Sequence, residues 1–321
     1  MAGGKWIGDL TAATPLADAA RRVLTVRLEV VRDSLPLAVH EPYKDPEHVH
    51  QLRVGTRRAT AALDIFAACL PHKEYAAAKK GLRRIRRAAG AARDWDVFRH
   101  HLAEWGRRPA ARRRPGLDFL TGYALAQRTA AQAGLQEAGK DAPLSFDRVL
   151  AETVAAVHKP HQAGLRTLAD LARPLLAGAL EELRRAATAD LDDYDHLHQV
   201  RISGKRLRYA MEVFADCFAL PFREQLYPAV EAMQEILGNA NDSHVAAGRL
   251  EALRTTLQAM QPAEWKRFKP GIEAVLRYHQ ERLPQEREHF RAWWEQWQER
   301  GAEAAIATPL TAPAGPRRKP R

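Results

Sequence analysis

Two stretches decide how this chain is read: HVHQLRVGTRRATAALDIF at 48–66 and HLHQVRISGKRLRYAMEVF at 196–214. They belong to one ungapped alignment of Glu47–Leu102 with Asp195–Leu250, offset by 148 residues (196 against 48). It pairs His48/His196, His50/His198, Gln51/Gln199, Arg53/Arg201, Arg58/Arg206, Phe66/Phe214, Cys69/Cys217, Gly90/Gly238, Asp94/Asp242 and Val97/Val245. Upstream, Pro15–Asp33 aligns with Thr167–Arg185, pairing Leu16-Ala17-Asp18 with Leu168-Ala169-Asp170 and Leu28-Glu29 with Leu180-Glu181. The first copy carries four extra residues between the two blocks (offset 152 against 148). A period near 150 is too long for a solenoid unit. It implies an internal duplication, with two similar lobes over 10–140 and 160–300 related by a pseudo-two-fold axis.

Working outward, the pattern is helical throughout. Pro15–Leu35 places Leu16, Ala20, Val23, Leu24, Leu28 and Val31 near a 3.6-residue period. Glu47–Leu70 repeats the period and stops before Pro71, and Glu74–Ala89 carries Ala78, Leu82, Ile85 and Ala89 as far as Gly90. Each of Asp94 and Asp242 then follows a glycine-containing break, where a carboxylate caps a new helix. Gly116–Ala138 and Trp265–Arg282 are further helices. Ala110–Pro115 reads as a loop, Gly139–Pro160 as the connection between lobes, and 301–321 as a disordered basic tail. No alternating strand pattern with hairpin chemistry occurs, so the fold class is all-α, two helical bundles joined by short turns.

The 321 residues carry 50 Lys/Arg against 39 Asp/Glu, a formal charge of +11. The surplus is local. His50–Arg114 holds seventeen Lys/Arg and five acids, whereas Asp190–Leu250 holds six and ten. Such a surplus points to an anionic partner. Two cysteines exclude a disulfide scaffold or a Cys-rich zinc site. No uncharged run reaches the roughly 18 residues that span a membrane, and the N-terminus lacks a signal-peptide core. The expected setting is the cytoplasm, with no membrane partner.

On the helix starting near His198, the residues His198, Arg201, Lys205 and Arg208 fall within about 80° of one another. The first copy repeats the stripe as His50, Arg53 and Arg57, with Thr60 as the fourth member; Arg58 and Arg206 lie to its side. The next helix spreads Lys79, Lys80, Arg83, Arg84, Arg86 and Arg87 opposite Leu82 and Ile85, and 79–93 contains no acid. Like charges four apart destabilise an isolated helix by about 0.2–0.5 kcal/mol per pair, and an external anion relieves that. The planar arginine fork suits phosphate oxygens. A P-loop and a glycine-rich dinucleotide fingerprint are both missing from the sequence. Sequence-tolerant single-strand binders place aromatic platforms among their cations, and here only Tyr75, Trp95 and Tyr209 lie near. A polyanion with phosphates and no bases fits better, nucleic acid being the alternative.

These residues resemble the CHAD domain, the conserved-histidine α-helical domain. The likeness lies in the repeated H-x-x-R-x-x-x-[RK]-R helix followed by Gly90-x-x-x-Asp94 and Gly238-x-x-x-Asp242, and it spans roughly residues 10–300. The resemblance implies two four-helix-type bundles and a basic central surface or pore that binds inorganic polyphosphate and directs the protein to polyphosphate granules. No cofactor is expected. Carried over by position, the binding candidates are His50, Arg53, Arg57 and Arg58 in the first copy and His198, Arg201, Lys205, Arg206 and Arg208 in the second. Lys79, Lys80, Arg83, Arg84, Arg86 and Arg87 match the family's basic character. The second copy instead reads REQLYPAVEAMQEILG there, so the first copy is expected to dominate. The E-x-E-x-K signature of CYTH-type triphosphate tunnel domains is absent, and that activity does not transfer.

Thirteen histidines raise a metal or acid–base reading. His48 and His50 point to different faces, as do His100 and His101, and no H-E-x-x-H motif exists. Asp94 and Asp242 are expected as caps rather than ligands. His50 and His198 lead the basic stripes: either they contact phosphate, with binding rising as pH falls through about 6.5, or each packs at the lobe interface on a backbone carbonyl. Cys69 and Cys217 read as small buried hydrophobes, and Trp293, Trp294 and Trp297 as packing. With neither a carboxylate pair nor a clustered histidine set, a phosphohydrolase is the less favoured alternative and a non-enzymatic binder the expectation.

Overall fold

The computed structural model describes residues 4–105, 110–140, 142–161, 164–299 and 301. Nine α-helices occur among them: α1 (Leu16–His40), α2 (Glu47–Ile65), α3 (His72–Trp105), α4 (Arg114–Lys140), α5 (Ala142–Ala155), α6 (Leu168–Ala187), α7 (Tyr194–Phe214), α8 (Tyr227–Met260) and α9 (Pro262–Glu299). There is no strand among the described residues. The fold is all-α. Short 3₁₀ turns at Ala67–Cys69 and Ala215–Cys217 end α2 and α7, and a π-helical turn at Phe222–Leu226 leads into α8.

Local chemistry accounts for several boundaries. Thr167 and Asp170 form a reciprocal capping box at α6, with the Thr167 amide donating to Asp170 Oδ2 at 2.8 Å. Asp193 caps α7 by accepting from the Asp195 amide at 2.8 Å. The expected stop at Gly90 and Gly238 does not occur. Helices α3 and α8 run unbroken for 34 residues each, so Asp94 and Asp242 lie mid-helix and cap nothing. An internal glycine costs a helix about 1 kcal/mol relative to alanine, too little to break a helix whose apolar stripe is buried on both sides of it. The predicted loop at Ala110–Pro115 contains a 3₁₀ turn at Ala111–Arg113 and the start of α4. Much of the predicted connection Gly139–Pro160 is helix α5, which packs on α1, α3 and α4. The expected basic tail beyond Gly301 lies outside the described residues.

Packing follows one pattern in each half. Helix α1 packs on α2, α2 on α3 and α3 on α4; α6 packs on α7, α7 on α8 and α8 on α9. Between the halves, α1 meets α6, α2 meets α7 and α4 meets α9. The Leu16 amide donates to Arg166 O and the Leu168 amide to Thr14 O, both at 2.9 Å, around an antiparallel bridge between Pro15 and Thr167. Gly116 and Gly271 bring α4 and α9 into backbone contact. A Cβ on Gly116 would lie 2.2 Å from Phe268 O, and one on Gly271 would lie 2.4 Å from Arg113 O. The core has two clusters, and both halves enter each. The larger joins α1, α2, α6 and α7 to the N-terminal parts of α3 and α8; the smaller joins α4 to the C-terminal parts of α3 and α8 and to Trp265–Leu276 of α9. Phe290, Trp294 and Trp297 belong to the larger cluster, where the sequence placed the tryptophans.

Candidate functional site

Helices α2 and α7 cross in contact, and α3 and α8 pack beside them. Because α2 buries Val49, Leu52, Ala59 and Leu63, its opposite stripe turns Arg53 and Arg57 outward. Together with Arg83, Arg86 and Arg87 of α3 and Arg249 of α8, these residues line a groove of about 580 Å³. Six arginines thus face one carboxylate on the lining, Asp94. Along α3 the lining runs from Arg83 to Asp94, roughly 16 Å at 1.5 Å per residue. Asp94 pairs with Arg53 at 3.4 Å and with Arg249 at 3.8 Å. Arg249 also donates to Asp94 O at 3.2 Å and lies 4.3 Å over the Trp95 ring. Gly90 has a steric role: a Cβ there would fall 2.4 Å from Arg53 Nη1. The guanidinium occupies the space that a side chain would take.

Strained charges of both copies lie where α2 meets α7, Arg57 on the groove lining and Lys205 and Arg201 beside it. Burial pushes the Arg57 guanidinium down to about 10, with Arg53, Arg201 and Arg86 adding like-charge repulsion. Lys205, the counterpart of Arg57, is pushed down to about 5 by burial and then by Arg57, Arg201, Arg53 and Arg208. Burial also lowers Arg201, against the attraction of Asp242. The Nε atoms of Arg201 and Arg208 are buried without a hydrogen-bond partner. Arg208 has a distant partner in Glu231 at 3.8 Å. Cations of both copies therefore meet where α2 and α7 cross, as the duplicated stripe predicted.

Other predicted residues lie elsewhere. Arg58 forms a two-pronged pair with Glu212, 2.7 Å from Nε and 3.0 Å from Nη2, beside the buried Arg27 and the Tyr227 hydroxyl. Burial works against the Arg58 charge, but Glu212 outweighs it and raises its pKa. Arg206 is exposed and pairs with Glu182 at 3.0 Å. Lys79 is held by Asp64 and the Tyr75 hydroxyl, both at 2.6 Å. Arg84 reaches Ala138 O on α4 at 3.1 Å, and Lys80 is exposed outside the groove lining.

The carbonyl-bound histidines are not the ones expected. His48 Nδ1 lies 3.1 Å from Glu41 O and His196 Nδ1 lies 2.8 Å from Asp190 O. His50 and His198 instead flank the cation cluster. Burial and then Arg93 lower His50; burial and then Arg201 and Lys205 lower His198, whose Nδ1 has no partner. Their protonation therefore falls below the ordinary value near 6.5. Asp94 and Asp242 meet at a second cavity of about 30 Å³, lined also by His101 and Asn241. No group of three His, Cys, Asp or Glu side chains among the described residues is arranged to hold a metal ion. Cys69 and Cys217 are buried, and burial raises both thiols, Cys217 to about 12.

The sequence did not point to Arg249, which lines the groove from the acidic copy, or to Arg93, whose charge reaches His50. For Arg93 the acid-free run through 79–93 was the available signal; Arg249 had none.

The structure is a helical domain with a groove lined by six arginines. The CHAD domain profile matches residues 16–251, and the chain belongs to that family. The crystal structure of the CHAD domain from the plant Ricinus communis superposes with a TM-score of 0.70 at 26% identity, covering 90% of this chain and 94% of that one. PptA from Streptomyces chartreusis superposes with a TM-score of 0.65 at 19% identity, covering 88% and 100%; this second likeness is one of fold. No curated protein sequence matches the chain. Among the described residues no helix is long and apolar enough to cross a membrane.

Proposed function

We propose that this protein binds inorganic polyphosphate along the groove between α2, α3 and α8 and does not act on it chemically, and that the same surface carries it onto polyphosphate granules. The observation that supports this most is the groove itself, six arginines against one carboxylate, backed by the unpaired Lys205 and Arg201. Such a surface is self-repelling until a multivalent anion lies in it. A chain of phosphates supplies charge at a close, regular spacing and needs no base-stacking platform. The one tryptophan beside the groove, Trp95, already carries Arg249 on its ring and Phe98 and Tyr123 at 5.8 Å, which favours polyphosphate over nucleic acid.

The test is a titration of long-chain polyphosphate at two salt concentrations with nucleic acid as competitor. Counterion release predicts a loss of affinity of about a hundredfold or more between roughly 50 and 200 mM salt for six phosphate contacts. Equal affinity at both salts overturns the reading. Displacement of polyphosphate by an equal charge concentration of RNA or DNA transfers the groove to nucleic acid.

A further inference from the structure

Asp94 is the one carboxylate on the groove lining. Its side chain is 40% exposed and lies 3.4 Å from Arg53 Nη2 and 3.8 Å from Arg249 Nη2. The two arginines depend on it to different degrees. Arg249 is anchored independently, by donating to Asp94 O at 3.2 Å and by lying 4.3 Å over the Trp95 ring. For the Arg53 guanidinium, Asp94 is the only ion-pair partner among the described residues; Gly90 leaves it room and no hold. Both pairs are longer than a well-formed charge-assisted hydrogen bond, and a part-exposed pair is weak. The fold does not demand the contact either. At the matching positions of the second copy, Asp242 attracts Arg201, yet the two form no ion pair among the described residues.

We propose, resting on the polyphosphate reading, that Asp94 is a built-in competitor for the groove: its carboxylate stands in for a phosphate on Arg53, and a polyanion long enough to reach Arg53 displaces it. The carboxylate brings one charge where a chain brings many. A chain already held by Arg83, Arg86 and Arg87 presents its next phosphates to Arg53 at high effective concentration, so the exchange favours the chain. Asp94 keeps Arg249 afterwards and is not left unpaired. A short chain settles at Arg83, Arg86 and Arg87, about two to three turns back along α3, and does not meet the carboxylate. Asp94 thus steadies Arg53 among like charges, and the opposing effect appears only when a long chain binds, which it holds less tightly and releases more readily.

The experiment titrates tripolyphosphate and long-chain polyphosphate into the full-length wild type, Asp94→Asn, Arg53→Ala and the double variant at one low salt concentration, with circular dichroism to check the fold. Asp94→Asn keeps the side-chain shape and removes the charge. It is expected to bind long-chain polyphosphate about fivefold more tightly, the upper end for a part-exposed ion pair, and tripolyphosphate within about twofold of wild type. Asp94→Ala, which places a better helix former at this mid-helix position, should show the same gain and serves if the asparagine disturbs the fold. In the Arg53→Ala background the gain should shrink below about twofold, because the seat that the carboxylate held is gone. A loss of affinity in Asp94→Asn overturns the proposal and makes the carboxylate a support for Arg53. An equal gain with both ligands, or a full gain without Arg53, also overturns it, because the carboxylate then acts only through the general field of the groove. No effect of Asp94→Asn, beside an Arg53→Ala that weakens long-chain binding, removes the competitor and leaves the polyphosphate reading standing. A wild type that binds neither ligand removes that reading and the competitor with it.

Discussion

Arg57 and Arg58 are consecutive residues of α2 with opposite surroundings. Arg58 turns inward to Glu212, whose side chain is 0% exposed and which also takes Arg27 at 3.5 Å and the Tyr227 hydroxyl at 2.9 Å. Arg57 turns toward Arg53, Arg86 and Arg201, and its charge is disfavoured. One step along a helix rotates a side chain by about 100°, and here that separates a structural cation from one that awaits a partner. The count of basic residues in the motif therefore says little by itself. What distinguishes the two regions is where the carboxylates are: on the Glu212 side the carboxylate is buried with the arginines, and on the groove lining Asp94 alone among the described residues faces six arginines.

The contrast is broken most forcefully at Glu212. Removing one member of a buried ion network leaves the others uncompensated and costs about 3–5 kcal/mol. Glu212→Gln should lower unfolding free energy by that amount in denaturant titration, because Arg27 and Arg58 keep their charges and lose their shared partner. The groove should respond in the opposite sense. Replacing Arg53, Arg57, Arg201 and Lys205 together with Ala should weaken polyphosphate binding by at least about a hundredfold, since charge-assisted contacts each contribute about 1.5–3 kcal/mol. Helicity by circular dichroism should be unchanged, and stability equal or higher. A quadruple variant that unfolds while Glu212→Gln does not would reverse the assignment of the two regions.

Lys205 sharpens the comparison through pH. Its folded value of about 5 lies below the unfolded value of 10.5, so between these the unfolded chain binds more protons than the native one. Stability therefore rises with pH across that window. A bound polyanion favours the ammonium, so binding takes up a proton. Affinity should then fall by up to about tenfold per unit between pH 7 and 9, one linked proton's worth. That range lies above the titration of His50 and His198, whose lowered values place their gain in affinity below pH 6.5. Lys205→Arg should abolish the slope between pH 7 and 9 while keeping the salt dependence. A slope that survives the substitution assigns the proton to another group.

How far the sequence revealed this depends on what each residue packs against. The stripes His50-Arg53-Arg57 and His198-Arg201-Lys205 were legible because helical spacing alone places them on one face. The fate of Arg58 was not, because Glu212 lies 154 residues away and only the α2–α7 crossing joins them. Arg206 occupies the matching motif position and meets Glu182 at the surface instead, so even the duplicated alignment could not separate the two roles. Arg249 was hidden for the same reason: it belongs to α8, whose local charge is acidic, and reaches the groove only because α3 and α8 both pack against the crossing pair. The helix breaks expected at Gly90 and Gly238 failed because a glycine read in isolation looks like a stop. At Gly90 the structure shows a side chain from another helix lying against the backbone; at Gly238 no heavy atom lies within 4 Å of a Cβ, and nothing in the structure explains that glycine.

Gly90 gives the smallest and most discriminating test. An alanine methyl there would sit 2.4 Å from Arg53 Nη1, the far end of a flexible side chain, so the guanidinium swings away rather than the helices parting. Helix α3 gains the propensity difference, about 0.5–1 kcal/mol. Gly90→Ala should therefore raise thermal stability slightly while weakening polyphosphate binding about tenfold, the loss of one charged contact at the low end of its range. In the background of Arg53→Ala the same substitution should leave affinity unchanged, because the group it displaces is gone. A double-mutant cycle measures this directly, since non-additivity is confined to residues in contact. Additive losses would mean that Gly90 serves the groove by some route other than Arg53, and that the Arg53–Asp94 pair is not where the polyanion binds.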